Sequence, residues 1–136
     1  HAQVLEVMMP RLAVGCFPYS LYFCDNQKAW NRGIKELSAD PKSWTRRWCN
    51  HSAYATAWRC EDAKGHVNFI VSFDRAKNKG RRPSQIAGAA AHEATHIVDW
   101  IIERTGEEHA VGSEWHAYQV QELTEWMLRH LWTVKK

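Results

Sequence analysis

At 136 residues, with 45% hydrophobic and 24% charged side chains, the chain has the size and composition of one ordinary globular domain with a modest core. A formal charge of +3 is too small to make nucleic acid an expected partner, and no apolar run approaches the roughly 20 residues needed to cross a bilayer. No basic start leads through an apolar stretch to a small-residue cleavage site, so a cytoplasmic protein is expected, with a secreted one as the alternative; residues 1–136 should form a single domain, and a monomer is expected.

Four cysteines (Cys16, Cys24, Cys49 and Cys60) contain no C-x-x-C pair of the kind that builds zinc ribbons. Four reduced, partly buried thiols are expected; two disulfides in an exported protein are the alternative that the even count leaves open. Eight tryptophans are many for this length, and most should fill a small core with bulky surface.

Residues 2–24 are apolar, broken by Gly15 and Pro18, and receive no firm element. Asp25 reads as the cap of a short helix in which Trp30, Ile34 and Leu37 recur at helical spacing. Asp40-Pro41 should end it, because the residue before proline avoids helical geometry. Residues 41–52 read as a loop or a short turn of helix. Tyr54, Thr56 and Trp58 then alternate with alanines. After the turn-forming stretch Glu61 to Gly65, residues 66–73 give the strongest strand signal, with Val67, Phe69, Val71 and Phe73 at a period of two. The two segments predict an antiparallel hairpin.

Arg75, Lys77, Lys79, Arg81 and Arg82 crowd the next stretch, which reads as a solvated charged loop that leads to Pro83-Ser84, with Ser84 as a helix N-cap. One helix is predicted from Gln85 to about Arg104, stopped by Gly106, and a second from near Ser113 to about Trp132. Leu123, Met127 and Leu131 on the second are core positions. The fold class is therefore α+β: a small antiparallel sheet covered on one side by the two C-terminal helices.

The segment that carries chemistry is His92-Glu93-Ala94-Thr95-His96. Residues four apart on a helix share a face, so both imidazoles can address one tetrahedral ion, and zinc is the expected cofactor. Glu93, next to His92, is placed to touch a water on that ion rather than the ion itself, as metal-assisted hydrolysis requires. Gly88 and Ala89 keep the approach open, while Ala91, Ala94, Val98 and Ile101 offer an apolar back. A third ligand must come from elsewhere. Glu103 is about 10 Å along the axis and too far; the extended HExxHxxGxxH pattern is absent, because Asp99 and Ile102 occupy its places. Asp99 is expected to accept a hydrogen bond from a neighbour. Glu114 is the preferred ligand, followed by His109 in the connecting loop and then by His116, for which a structural role is expected.

The run 92–96, followed by Glu114-Trp115-His116-Ala117-Tyr118, resembles the gluzincin arrangement of zinc metallopeptidases, and in particular small phage and bacterial metallopeptidase-like domains. The resemblance covers residues 66–133 at most. It implies a minimal zincin-like domain with a metal-binding core at about 53–133, zinc ligands His92, His96 and Glu114, and Glu93 as general base. It departs from the larger gluzincins at Tyr118, where those often carry an acidic residue. Tyr118 is either a donor to the oxyanion formed during hydrolysis or a core tyrosine. The resemblance further implies that strand 66–73 lies beside the zinc with one free edge, along which a peptide substrate adds as an antiparallel strand. The expected function is peptide-bond hydrolysis. The alternative is a metal-binding interaction module, for example a phage or bacterial host-factor binder, without turnover. A third, weaker reading makes the basic stretch a DNA contact.

Overall fold

A computed structural model describes residues 9–14, 19–44, 48, 54–106 and 113–133. They belong to two units, His1–Lys79 and Gly80–Lys136. The chain is α+β, with a four-stranded sheet in the first unit and two long helices in the second.

The first unit contains β1 (Arg11–Ala13), β2 (Ser20–Cys24), α1 (Gln27–Leu37), α2 (Pro41–Trp44), β3 (Ala55–Glu61), β4 (Val67–Phe73) and α3 (Arg75–Asn78). The strand order is β1-β2-β4-β3. β3 and β4 form the expected antiparallel hairpin, with Trp58 opposite Ile70. The other side of β4 pairs in parallel with β2, Tyr22 lying opposite Ile70. The sheet is thus mixed rather than antiparallel, and β4 has a neighbour on each side instead of the free edge expected of it. Among the described residues the outer strands are β1 and β3. A peptide adding to this sheet would have to join one of those.

The physical reason lies in side chains that the period-of-two reading treats as the polar face. Asn68 and Ser72 are buried, and their polar groups are satisfied inside the unit. The Asn68 amide donates to the Leu37 carbonyl, and Ser72 Oγ accepts from Trp58 Nε1 at 3.0 Å. Both faces of β4 are therefore covered, as a central strand requires. β2 likewise reads as a nearly continuous apolar run, Leu21 to Cys24, without alternation.

The hairpin turn is organised by Asp62. Its carboxylate accepts from the backbone N–H of Lys64 at 2.9 Å and of His66 at 3.0 Å, while Gly65 takes φ +83°, a region costly for any residue with a Cβ. Burial works against the charged form, but these amide hydrogens, helped by the His66 ring, hold the Asp62 carboxyl below its usual range.

Asn26, not Asp25, caps α1: its side chain accepts from the Ala29 N–H at 2.8 Å. The Asp25 carboxylate is engaged by the Arg75 guanidinium instead. α1 buries Trp30, Ile34 and Leu37 as its spacing predicts. They join Met9, Tyr22, Cys24, Cys60 and Ile70 in one apolar cluster, against which Trp44, Trp48 and Trp58 pack. Trp30 is the hub, with ring centroids 6.5 Å from Trp44, 6.1 Å from Trp48 and 5.9 Å from Trp58.

Cys24 and Cys60 are free, buried thiols; Cys16 and Cys49 lie outside the described residues. Burial first, and then the Asp62 charge, push the Cys60 thiol from 9.0 up to about 12. Because the folded value is raised, the folded chain holds this proton more tightly than the unfolded one. The resulting stabilisation is complete below about pH 9 and is lost as pH rises toward 12. Urea unfolding of the native chain and of Cys60→Ala should therefore converge in midpoint between those values; a gap that stays constant from pH 8 to pH 11 would contradict this account.

The second unit contains α4 (Pro83–Thr105) and α5 (Glu114–Thr133). α4 starts two residues earlier than expected. Pro83 occupies the first helical position, where its missing N–H costs nothing, and the Gln85 side chain accepts from the Arg82 N–H at 2.9 Å. Ser84 therefore sits inside the helix and is not its cap. Gly106 ends α4 in the left-handed conformation (φ +74°), its N–H returning to the Ile102 carbonyl. Ala90, Ala94, Ile97, Val98, Ile101 and Ile102 form the buried stripe of α4, and Leu123, Trp126, Met127 and Leu131 that of α5. Ser113 caps α5 by accepting from the His116 N–H at 3.2 Å. Among the described residues no helix is long and apolar enough to cross a membrane.

Candidate metal centre

α4 carries two chemically distinct sides through its middle turns. The buried stripe lies on one, and the exposed residues Gly88, His92, His96, Asp99 and Glu103 follow each other along the other. Four-residue spacing places His92 and His96 one turn apart, and their rings meet edge to face with centroids 4.8 Å apart. The two Nε2 atoms lie 3.2 Å from each other. Two nitrogens, each about 2.0–2.1 Å from one tetrahedral zinc, stand roughly 3.3–3.4 Å apart. The pair is thus spaced as two ligands of a single ion. In its absence one imidazole N–H can donate to the other ring, with the tautomers chosen accordingly.

Glu93 sits at the boundary between the two sides. The residue is 7% exposed, yet Oε1 lies 4.0 Å from His92 Nε2. The carboxylate therefore stands close to the His92 imidazole.

The second helix contributes differently from expectation. Its apolar stripe sets its rotation, and Glu114, nine residues before Leu123, falls about 180° away from that stripe. Glu114 and Tyr118 are accordingly exposed, the tyrosine at 63%. From the first turn of α5, His116 reaches α4 instead, its Nε2 lying 2.9 Å from Asp99 Oδ1. Asp99 thus has the neighbour anticipated for it, and His116 has a structural partner. Among the described residues no third His, Cys, Asp or Glu joins the histidine pair to form a metal-holding group. His109 lies outside the described residues.

No family model, curated protein or solved structure matches this chain. The site stands on its own residues.

One feature of the site escaped the sequence reading. Trp100, one turn after His96, lays its indole against that imidazole, with centroids 6.1 Å apart and planes within 27°. The signal was available, since 92, 96 and 100 are successive steps of four along one helix.

Proposed function

We propose that this chain is a zinc-dependent peptidase of zincin-like architecture, with His92 and His96 anchoring the metal and Glu93 acting as general base on a protein or peptide substrate. The observation that carries the proposal is the 3.2 Å spacing of two exposed imidazole nitrogens beside a carboxylate held 4.0 Å away. Zinc, when bound, supplies Lewis acidity that acidifies water and polarises a scissile carbonyl. Glu93 takes the proton from the attacking water and hands it to the leaving amine. Its burial beside Ala90 and Ala94 shields the carboxylate from bulk water and limits the directions it can face.

Three residues compete for the remaining protein ligand. Glu114, the choice implied by the gluzincin resemblance, needs the first turn of α5 to rotate inward. His116 would have to leave Asp99. His109 is the third. Tyr118, at 63% exposure, can serve an oxyanion only if substrate covers it.

The second reading, a protein that holds a partner through metal without turnover, uses the same exposed histidine pair on the surface of α4.

Metal content tests the shared premise. Native protein equilibrated with zinc and then desalted should carry one ion per chain by elemental analysis. His92→Ala and His96→Ala should each weaken binding by more than about 100-fold, since even outer-shell partners are worth about 10–100-fold. A native chain that stays metal-free at saturating zinc would end both readings.

A further inference from the structure

We propose that Trp100 is a positioning residue for the metal site: its indole holds the plane of the His96 imidazole so that Nε2 stays aimed at the point shared with His92. The inference rests on the zinc reading above and adds a residue to it.

Of the two histidines, His92 has a side chain that is 68% exposed, and His96 also faces solvent. An exposed imidazole turns readily about χ2, a broad torsion with no sharp staggered minima. Rotation about that bond carries Nε2 off any fixed point, so two unrestrained imidazoles would present a metal with many unproductive arrangements. On this helix the freedom is removed from one side. Trp100 is half-buried, hence anchored by its surroundings, and its face lies nearly parallel to the His96 ring at 6.1 Å. The other side of His96 meets His92 edge-on at 4.8 Å. His92, His96 and Trp100 thus form a ladder of three rings along α4, in which the middle ring is held between its neighbours and its Nε2 points to the 3.2 Å contact. Such preorganisation acts on affinity by reducing what must be ordered when the ion arrives.

Other polar and aromatic groups of the molecule are already engaged. The tryptophan cluster around Trp30 is closed on itself, its Trp30 and Trp58 indole N–H groups already bonded within the unit. In the basic stretch Arg75 is engaged by Asp25, and Lys77 and Arg81 have partners as well.

The test compares zinc titrations by calorimetry on the full chain and on Trp100→Phe, Trp100→Leu and Trp100→Ala. Phenylalanine keeps a stacking face, leucine keeps apolar bulk alone, and alanine keeps neither. Aromatic contacts of this kind correspond to roughly threefold to tenfold in an equilibrium constant. Trp100→Phe should bind zinc within about twofold of the native chain, and Trp100→Leu and Trp100→Ala about threefold to tenfold more weakly. Native-like affinity in the leucine variant would reduce Trp100 to a bulky filler and overturn the inference. A separate arm needs no metal: NMR of the apo chain should show the His96 ring protons shifted upfield by the indole, and that shift should vanish in Trp100→Leu. If it is absent from the native apo chain, Trp100 does not hold His96. If the native chain shows the shift yet takes no zinc, it is the zinc reading that falls, and the proposed positioning falls with it.

Discussion

Glu93→Gln should leave the zinc in place and remove the hydrolysis. The substitution keeps the shape of a buried residue that is 7% exposed, so the packing around α4 is preserved. It removes only basicity, because an amide oxygen accepts a hydrogen bond but does not take a proton at neutral pH. General-base assistance is typically worth about 10²–10⁴ in rate, and a loss of that size is expected in cleavage of a peptide mixture followed by mass spectrometry. Zinc stoichiometry and melting temperature should stay close to native. Should the variant keep the biological effect of the chain while peptides remain uncut, the protein acts by binding, and the second reading takes over. If it cuts as fast as the native chain, Glu93 is not the base.

Trp30→Ala should bring the first unit close to unfolding. The side chain is fully buried, touches three other indoles and donates from Nε1 to the Trp44 carbonyl at 2.9 Å. Truncating a buried tryptophan costs about 3–5 kcal/mol through lost transfer energy and the cavity left behind, and the Trp44 carbonyl loses its donor as well. Against a total of about 5–15 kcal/mol for a typical domain, that is a large share. Denaturant unfolding should show the loss directly, with Trp30→Phe recovering about half of it because one ring and its edge contacts survive. A cost under about 1 kcal/mol for the alanine variant would mean that Trp30 is not the hub of its cluster.

Much of this architecture is written locally, and the parts that are not have identifiable causes. The hairpin of β3 and β4 and both long helices could be read from their punctuation: Gly65 in the turn, Pro83 at the start of α4, Gly106 after its end. β1 and β2 could not. Ser20 to Cys24 is covered on both sides, so its side chains show no alternation to separate a strand from any other apolar run. Parallel pairing between β2 and β4 is a long-range fact with no local signature, and from it follow the mixed sheet and the lost free edge. At the candidate site, the histidine pair depends on the helical repeat alone and was legible. Glu114 recommends itself by its chemistry and by a family likeness. The helical wheel of its own segment, anchored by Leu123 and Met127, turns that residue outward and His116 inward. Asp25 and Asn26 are a smaller instance of the same kind. Either can cap a helix, and the attraction of Arg75, fifty residues away, decides which one does.

The place of β4 in the sheet also bears on how the chain assembles. Its partner β3 is reached across a tight turn, whereas β2 is separated from it by α1, α2 and β3. Closing the longer connection costs more entropy before any contact rewards it, so the hairpin can form early and the parallel seam must come late. On a ribosome, where synthesis proceeds from the N-terminus, β2 emerges long before the strand that will complete its ladder. Until Phe73 has left the exit tunnel, that side of β2 is an unfilled template, and this is the interval in which the nascent chain most needs protection from pairing with a neighbour.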